Sequence, residues 1–64
     1  MTVYECEYVD AKGRTINMEI TCDGLRYVAR RFVNCNEANV CVRSTEESAH
    51  EEIKNFVKMS PPMA

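Results

Sequence analysis

The amino-acid sequence predicts an α+β fold, in which a three- to four-stranded antiparallel β-meander carries one C-terminal α-helix packed on one face. Two observations support this prediction. In the first half of the chain, apolar residues recur at every second position, as they do in half-buried strands. After residue 44 the apolar period changes to about 3.6, which is typical of an amphipathic helix.

The first hairpin is predicted by strand alternation and by the turn between the two strands. TVYECEYV and TINMEITC each carry their apolar residues mainly at even positions, so Thr2 is expected on the same face as the tyrosines. DAKGR places Asp10 at the first turn position and Gly13 where a positive φ is needed, which indicates a type I turn with a Gly bulge. Turn and alternation agree on the pairs Tyr8 with Ile16, Cys6 with Met18, and Tyr4 with Ile20.

The second hairpin is predicted from Asp23-Gly24, a dipeptide that favours a two-residue type I′ turn. This turn would place Cys22 opposite Leu25 and Ile20 opposite Tyr27. The core side would then hold Leu25, Tyr27, Ala29 and Val33, with the stem of Arg31 covering apolar surface at the end of the strand. The outward side would hold Arg26, Val28, Arg30 and Phe32.

The remainder of the chain is predicted to form a loop, a short strand, a helix and a tail. NCNEAN is expected to be a loop, and residues 40–43 a strand without an assigned partner. Ser44 and Glu47 fit a capping box at the start of the helix. Residues 1–59 are predicted to form a single domain and 60–64 a flexible tail that contains proline. The predicted apolar stripe of the helix comprises Ala49, Ile53, Phe56 and Val57.

Composition argues against a membrane protein and against an exported one. No apolar segment approaches the roughly 18 residues of a membrane-spanning helix. The N-terminal MTVYECEYVD carries acids where a signal peptide needs a basic head and an apolar stretch. We therefore expect a cytoplasmic protein with reduced thiols and no membrane partner.

No residue pattern indicates catalysis, a cofactor or a metal. The four cysteines include no Cys-x-x-Cys pair, so a structural zinc site is not indicated. Free thiols are expected, although Cys35 and Cys41 flank a short loop and a bridge between them stays open. His50 has no evident catalytic partner, and both glycines are used by turns. We expect a protein that is not an enzyme and has no cofactor.

LRYVARRFVNC is the one segment that resembles a binding motif, because it combines three arginines with two aromatic residues. Glutamates of the neighbouring strands project on the same side, so we expect the arginines to pair with them across strands and to stabilise the sheet. The face should then be nearly neutral, and we disfavour binding of nucleic acid. Val3 and Val9 add apolar surface to that face, which is typical either of a contact surface for a protein or of the scattered apolar residues that ordinary surfaces expose. The candidate partner-binding residues are Arg26, Val28, Arg30, Phe32, Glu5, Glu7 and Glu19.

The leading hypothesis is a small non-enzymatic protein–protein interaction module, such as an inhibitor or regulator of the kind that phages, prophages and plasmids carry. This hypothesis rests on size and on the lack of a catalytic pattern. One alternative is a nucleic-acid-binding three-stranded sheet, and another is a homodimer joined through the open face or a strand edge. An alternative contact surface is the acidic helix start, which would otherwise serve to stabilise the helix. It comprises Glu46, Glu47, Glu51 and Glu52.

Overall fold

The protein, described here over residues 1–63 of a computed structural model, has the predicted α+β fold. One antiparallel sheet contains four strands in the order β1-β2-β3-β4, and one helix packs over β2, β3 and β4. We call the helix-covered side of the sheet the core face and the other side the open face. The elements are β1 (Thr2–Val9), β2 (Thr15–Cys22), β3 (Tyr27–Val33), β4 (Asn36–Arg43) and α1 (Glu46–Met59).

The first hairpin has the predicted register, with Tyr4, Cys6 and Tyr8 opposite Ile20, Met18 and Ile16. Gly13 adopts a φ of 81°, as the predicted bulge requires. At the start of β1, Thr2 is expected on the core face and Val3 on the open face, and both expectations are wrong. A register shift there places Thr2 opposite Thr21 on the open face, and Val3 packs against the core.

The second hairpin is shifted by two residues from the predicted register, because its loop is longer than two residues. Oδ1 of Asp23 accepts hydrogen bonds from the backbone N–H groups of Leu25 and Arg26, both at 3.0 Å. These bonds hold Leu25 outside the ladder, 88% exposed, and Cys22 pairs with Tyr27 instead. A shift of two residues preserves the alternation of faces, so the predicted sides of the other β3 residues remain correct.

β4 is longer than predicted and pairs with β3 along its whole length. The segment expected to be a loop contains a two-residue turn, Asn34-Cys35, in which both residues have positive φ, 50° and 70°. Two positive φ values define a type I′ turn, which matches the twist of a hairpin. A bulge opposite the Arg31–Phe32 step then breaks the alternation of β4.

The N-cap of α1 lies one residue after Ser44, the predicted cap. Thr45 is the N-cap, and its side chain accepts a hydrogen bond from the backbone N–H of Ser48 at 3.1 Å. The predicted apolar stripe meets the sheet, with Val57 partly buried at its border. Within residues 1–63, no helix combines the length and the apolar character needed to span a membrane. The buried apolar core comprises Ile16, Met18, Ile20, Ala29, Ala49, Ile53 and Phe56.

Ser60 ends the helix and joins it to two strands. Its backbone N–H donates to the carbonyl of Phe56 at 3.0 Å, and its own carbonyl accepts from the hydroxyl of Tyr8 at 2.6 Å. The Arg31 guanidinium donates to Oγ of the same residue. Ser60 is completely buried, so these bonds form away from water and fix the position of the helix end.

The residues after Ser60 continue along the end of β1. The Ala11 N–H donates to the Pro61 carbonyl at 2.8 Å, and the Met63 N–H donates to the Val9 carbonyl at 3.1 Å. The sequence sets residues 60–64 apart from the domain as a tail, whereas the structure gives residues 60–63 defined contacts with it. Ala64, the last residue of the predicted tail, lies outside the described residues.

Cys35 supplies a test of the turn geometry. Replacing Cys35 by Gly should raise the free energy of unfolding by about 1 kcal/mol, because a left-handed conformation costs a residue with a Cβ about that amount. Cys35 is exposed, so no packing is lost. Denaturant titration would measure the gain. Cys35→Ala is the matched control, since it retains the Cβ, and an equal gain in that variant would contradict the explanation.

Asp10 supplies a test of pH dependence. Burial raises the pKa of its carboxyl, but hydrogen bonds from Arg14 and from the Lys12 N–H outweigh this effect and hold the pKa below 3.8. Its contribution to stability is therefore complete above pH 3.8 and is lost as pH falls through the lowered pKa. Asp10→Asn should unfold more easily at pH 7 and lose less stability in acid. If the free energy of unfolding of wild type and of Asp10→Asn changed with pH by the same amount, this account would be refuted.

Candidate functional site

The open face brings together six of the seven predicted partner-binding residues. Strand pairing aligns them in rows across the sheet, one row running Glu5, Glu19, Arg30 and Val40. The seventh residue, Arg26, lies in the loop before β3, where it pairs with Asp23. The other two rows are Glu7, Asn17, Phe32 and Glu37, and Thr2, Thr21, Val28 and Val42.

Arg30 is bound to acidic side chains on both neighbouring strands. Its NH1 lies 3.4 Å from Glu19 Oε2, and its Nε lies 3.5 Å from Glu37 Oε1. NH1 also donates to Oγ1 of Thr21 at 3.0 Å. The predicted pairing of arginine with acids of adjacent strands is confirmed for this residue, and the guanidinium is already occupied by partners within the sheet.

The half of the open face over β1 and β2 is acidic. Glu5 lies directly opposite Glu19, an arrangement of like charges that destabilises a sheet, and Glu7 lies opposite Asn17. With Glu37 included, four glutamates share the open face with Arg30, while Arg31 and Arg43 of the same strands lie on the core face. The expectation of a nearly neutral face is wrong, because Arg26 is outside the ladder and Glu37 is inside it.

The half of the open face over β3 and β4 is mainly apolar and carries, besides the ion pair of Arg30 with Glu37, one aromatic residue and three valines. Val28 lies directly opposite Val42, and Val40 lies in the next row opposite Arg30. Val40 and Val42 are 48% and 47% exposed, and Phe32 is half-buried beside them. We call these four residues the apolar half. Val40 and Val42 were not identified as site residues from the sequence, although their alternation was visible, because β4 had no assigned partner strand.

A depression of about 410 Å³ lies beside the boundary between the two halves. Its carboxylates would favour a cationic group, through charge-assisted hydrogen bonds. The ring of Phe32 adds a surface over which a cation can be held by cation–π attraction. The lining residues are Glu5, Cys6, Glu7, Asn17, Met18, Glu19 and Phe32.

The acidic helix start is divided among separate contacts. Glu52 points to β4, where it binds Arg43 at 2.8 Å and accepts a hydrogen bond from the Cys41 thiol at 3.4 Å. The bonds from Arg43 and Cys41 hold the pKa of Glu52 below its ordinary value. Burial, together with Glu52, raises the pKa of the Cys41 thiol. Glu52 therefore joins α1 to the sheet.

The other acids of the helix start lie closer to the solvent. Glu51 lies 3.5 Å from Lys54, and Glu46 lies 3.3 Å from Nε2 of His50. The His50 ring packs edge-on against Tyr4 with 5.1 Å between the ring centroids. Glu47 is exposed in the first turn. These contacts fit the interpretation that the acids stabilise the helix.

All four cysteines are free thiols, three of them half-buried and Cys35 exposed in its turn. Across the described part of the chain, no three His, Cys, Asp or Glu side chains are grouped so that they could hold a metal ion. Comparisons with protein-family models, with curated protein sequences and with solved structures found no match for this chain.

The like-charge pair on the open face supplies a stability test. Glu5→Lys should raise the free energy of unfolding by about 0.5 kcal/mol, because it converts the repulsion with Glu19 into attraction. Glu7→Lys is the matched control, since Glu7 faces the neutral Asn17 and should give a smaller gain. Both variants can be compared by urea denaturation at low salt. Equal gains in the two variants would contradict the proposed pairing effect.

Proposed function

We propose that this protein is a small non-enzymatic docking module, which binds another protein through its open face and acts as an inhibitor or regulator. The observation that carries the proposal is the uncovered face itself. The helix lies on the core face, and the open face exposes valines next to an acidic half. Exposed apolar surface that is bordered by charge is typical of contact surfaces.

The apolar half supplies what the centre of an interface requires. Val28 and Val42 are neighbours across β3 and β4, and Val40 follows on β4. Phe32 lies on the other side of Arg30, whose charge is balanced by Glu19 and Glu37. Interface centres are depleted of charge and enriched in apolar and aromatic side chains. A partner that covers this half would remove the two half-exposed valines from water.

The acidic half specifies the chemistry of the partner. Glu5 and Glu19 face each other at a cost in stability, and Glu7 adds further negative charge beside them. Natural proteins often retain a destabilising feature where function depends on it. A partner surface with lysine or arginine beside an apolar residue would match both halves, and charge attraction would speed association.

Nucleic acid is the weaker alternative. Its binding requires basic groups that are free to contact phosphates. Arg30, the arginine that β3 places on the open face, is held by Glu19 and Glu37, and the surrounding glutamates would repel a phosphate backbone. We also retain the predicted cytoplasmic location, since four free thiols suit a reducing compartment.

The proposed function can be tested by comparing two pairs of charge-neutralising substitutions. Glu5→Gln with Glu7→Gln should weaken binding of the captured partner by at least about tenfold, because it removes charge from the docking face. Glu47→Gln with Glu51→Gln is the matched control, with the same change in net charge at the helix start. Partner capture from nuclease-treated lysate, followed by titration with the purified partner, would measure both effects.

The outcomes of this experiment separate the candidate functions. Loss of binding in the helix variant alone would place the contact at the alternative acidic patch. Capture that disappears with nuclease would indicate nucleic acid. Equal binding by all three proteins would remove the acidic half from the proposal.

A further inference from the structure

The two edges of the sheet differ in how they are protected against pairing with another strand. On β1, Met63 is hydrogen-bonded to Val9, Glu5 and Glu7 add charge, and a bulge distorts the start of the strand. Cover, charge and bulges are the features by which natural proteins block the pairing of edge strands. The β1 edge therefore carries three such features.

The β4 edge lacks these features in its central part. Asn39, Val40, Cys41 and Val42 are uncharged and pair regularly with β3 on their inner side. Their outer side has no neighbouring strand within residues 1–63, because β4 is last in the strand order. The bulge and Glu37 lie at one end of β4, and Glu52 of α1 contacts β4 on the core face, through Cys41 and Arg43. A regular, uncharged strand edge is a template for pairing.

We propose that a second copy of this chain pairs with the β4 edge, antiparallel and related by a two-fold axis at Cys41. The two four-stranded sheets would then form one continuous sheet of eight strands. In this register each Val40 lies opposite Val42 of the second copy, and each Asn39 lies opposite Arg43 of the second copy. Both open faces lie on the same side, because directly opposed residues of an antiparallel pair share a face.

The charges of the two edges favour pairing of two copies through β4 over pairing of two copies through β1. Two β4 strands place valine against valine twice, and no like charges stand opposite each other between positions 39 and 43. The corresponding pairing of two β1 strands, centred on Cys6, would place Glu5 against Glu7 of the other copy twice. Pairing β4 with β1 of another copy would leave free edges and build an open-ended filament, whereas the two-fold arrangement closes.

The dimer would enlarge the apolar surface without relying on the proposed docking function. Val40 and Val42 of both copies would form one apolar strip across the middle of the joint open face, extended on each side by Val28. The acidic halves would lie at the two outer ends. Assembly requires only this chain, so it can be tested on the purified protein with no partner present.

The test is sedimentation over a range of concentrations, under reducing conditions so that no disulfide contributes. The wild-type chain should sediment as a dimer at high concentration. Val42→Lys should raise the dissociation constant at least about tenfold, because symmetry places the new charge in the interface twice. Val9→Lys is the matched control, since Val9 is also 47% exposed but lies on β1.

Hydrogen exchange identifies the edge that is used. Amides of residues 39–42 that point away from β3 should become protected as concentration rises, and Val42→Lys should abolish that protection. Val40→Lys provides a second variant if the first fails to fold, as judged by circular dichroism. A monomer at every concentration would overturn the proposal, as would equal effects of Val42→Lys and Val9→Lys. Protection that requires an added partner protein would assign the edge to that protein instead.

Discussion

A chain of 64 residues can bury only one face of its sheet, and the rest of this structure depends on that limit. α1 contributes Ala49, Ile53 and Phe56 to the core face, where they meet the fully buried residues of β2 and β3. The open face receives no such cover from the described residues. Val40 and Val42 remain half-exposed, and Arg30 alone cannot balance the four glutamates that share the face.

Polar contacts decide where the helix lies on the core face. Ser60 receives hydrogen bonds from Tyr8 and Arg31, so one buried residue connects the end of α1 to β1 and β3. At the middle of the helix, Glu52 binds Arg43 of β4. Buried polar groups with satisfied hydrogen bonds specify a single arrangement in a small core that apolar packing alone would fix less firmly.

The sequence predictions are accurate where two independent sequence signals, such as turn residues and apolar alternation, agree. The register of the first hairpin was correct because turn and alternation both required it. The second was wrong by two residues because the Asp23 carboxylate captures two backbone amides, which the Asp-Gly pattern does not reveal. The length of β4 was missed because Asn36, Glu37 and Ala38 are exposed and a bulge breaks their alternation. Because of these two errors, the sequence prediction includes Arg26 in the open face and omits Glu37, Val40 and Val42. The acidic character of the open face could therefore not be predicted.

The central claim is that the open face, with its apolar and acidic halves, is the surface that binds a partner. Methyl NMR of the valines during titration with the captured partner tests this claim most directly. The account predicts that the methyl signals of Val28, Val40 and Val42 change up to a stoichiometric end point, while those of Val57, at the border of the core, stay in place. Changes at Val57 with unchanged open-face valines would contradict it.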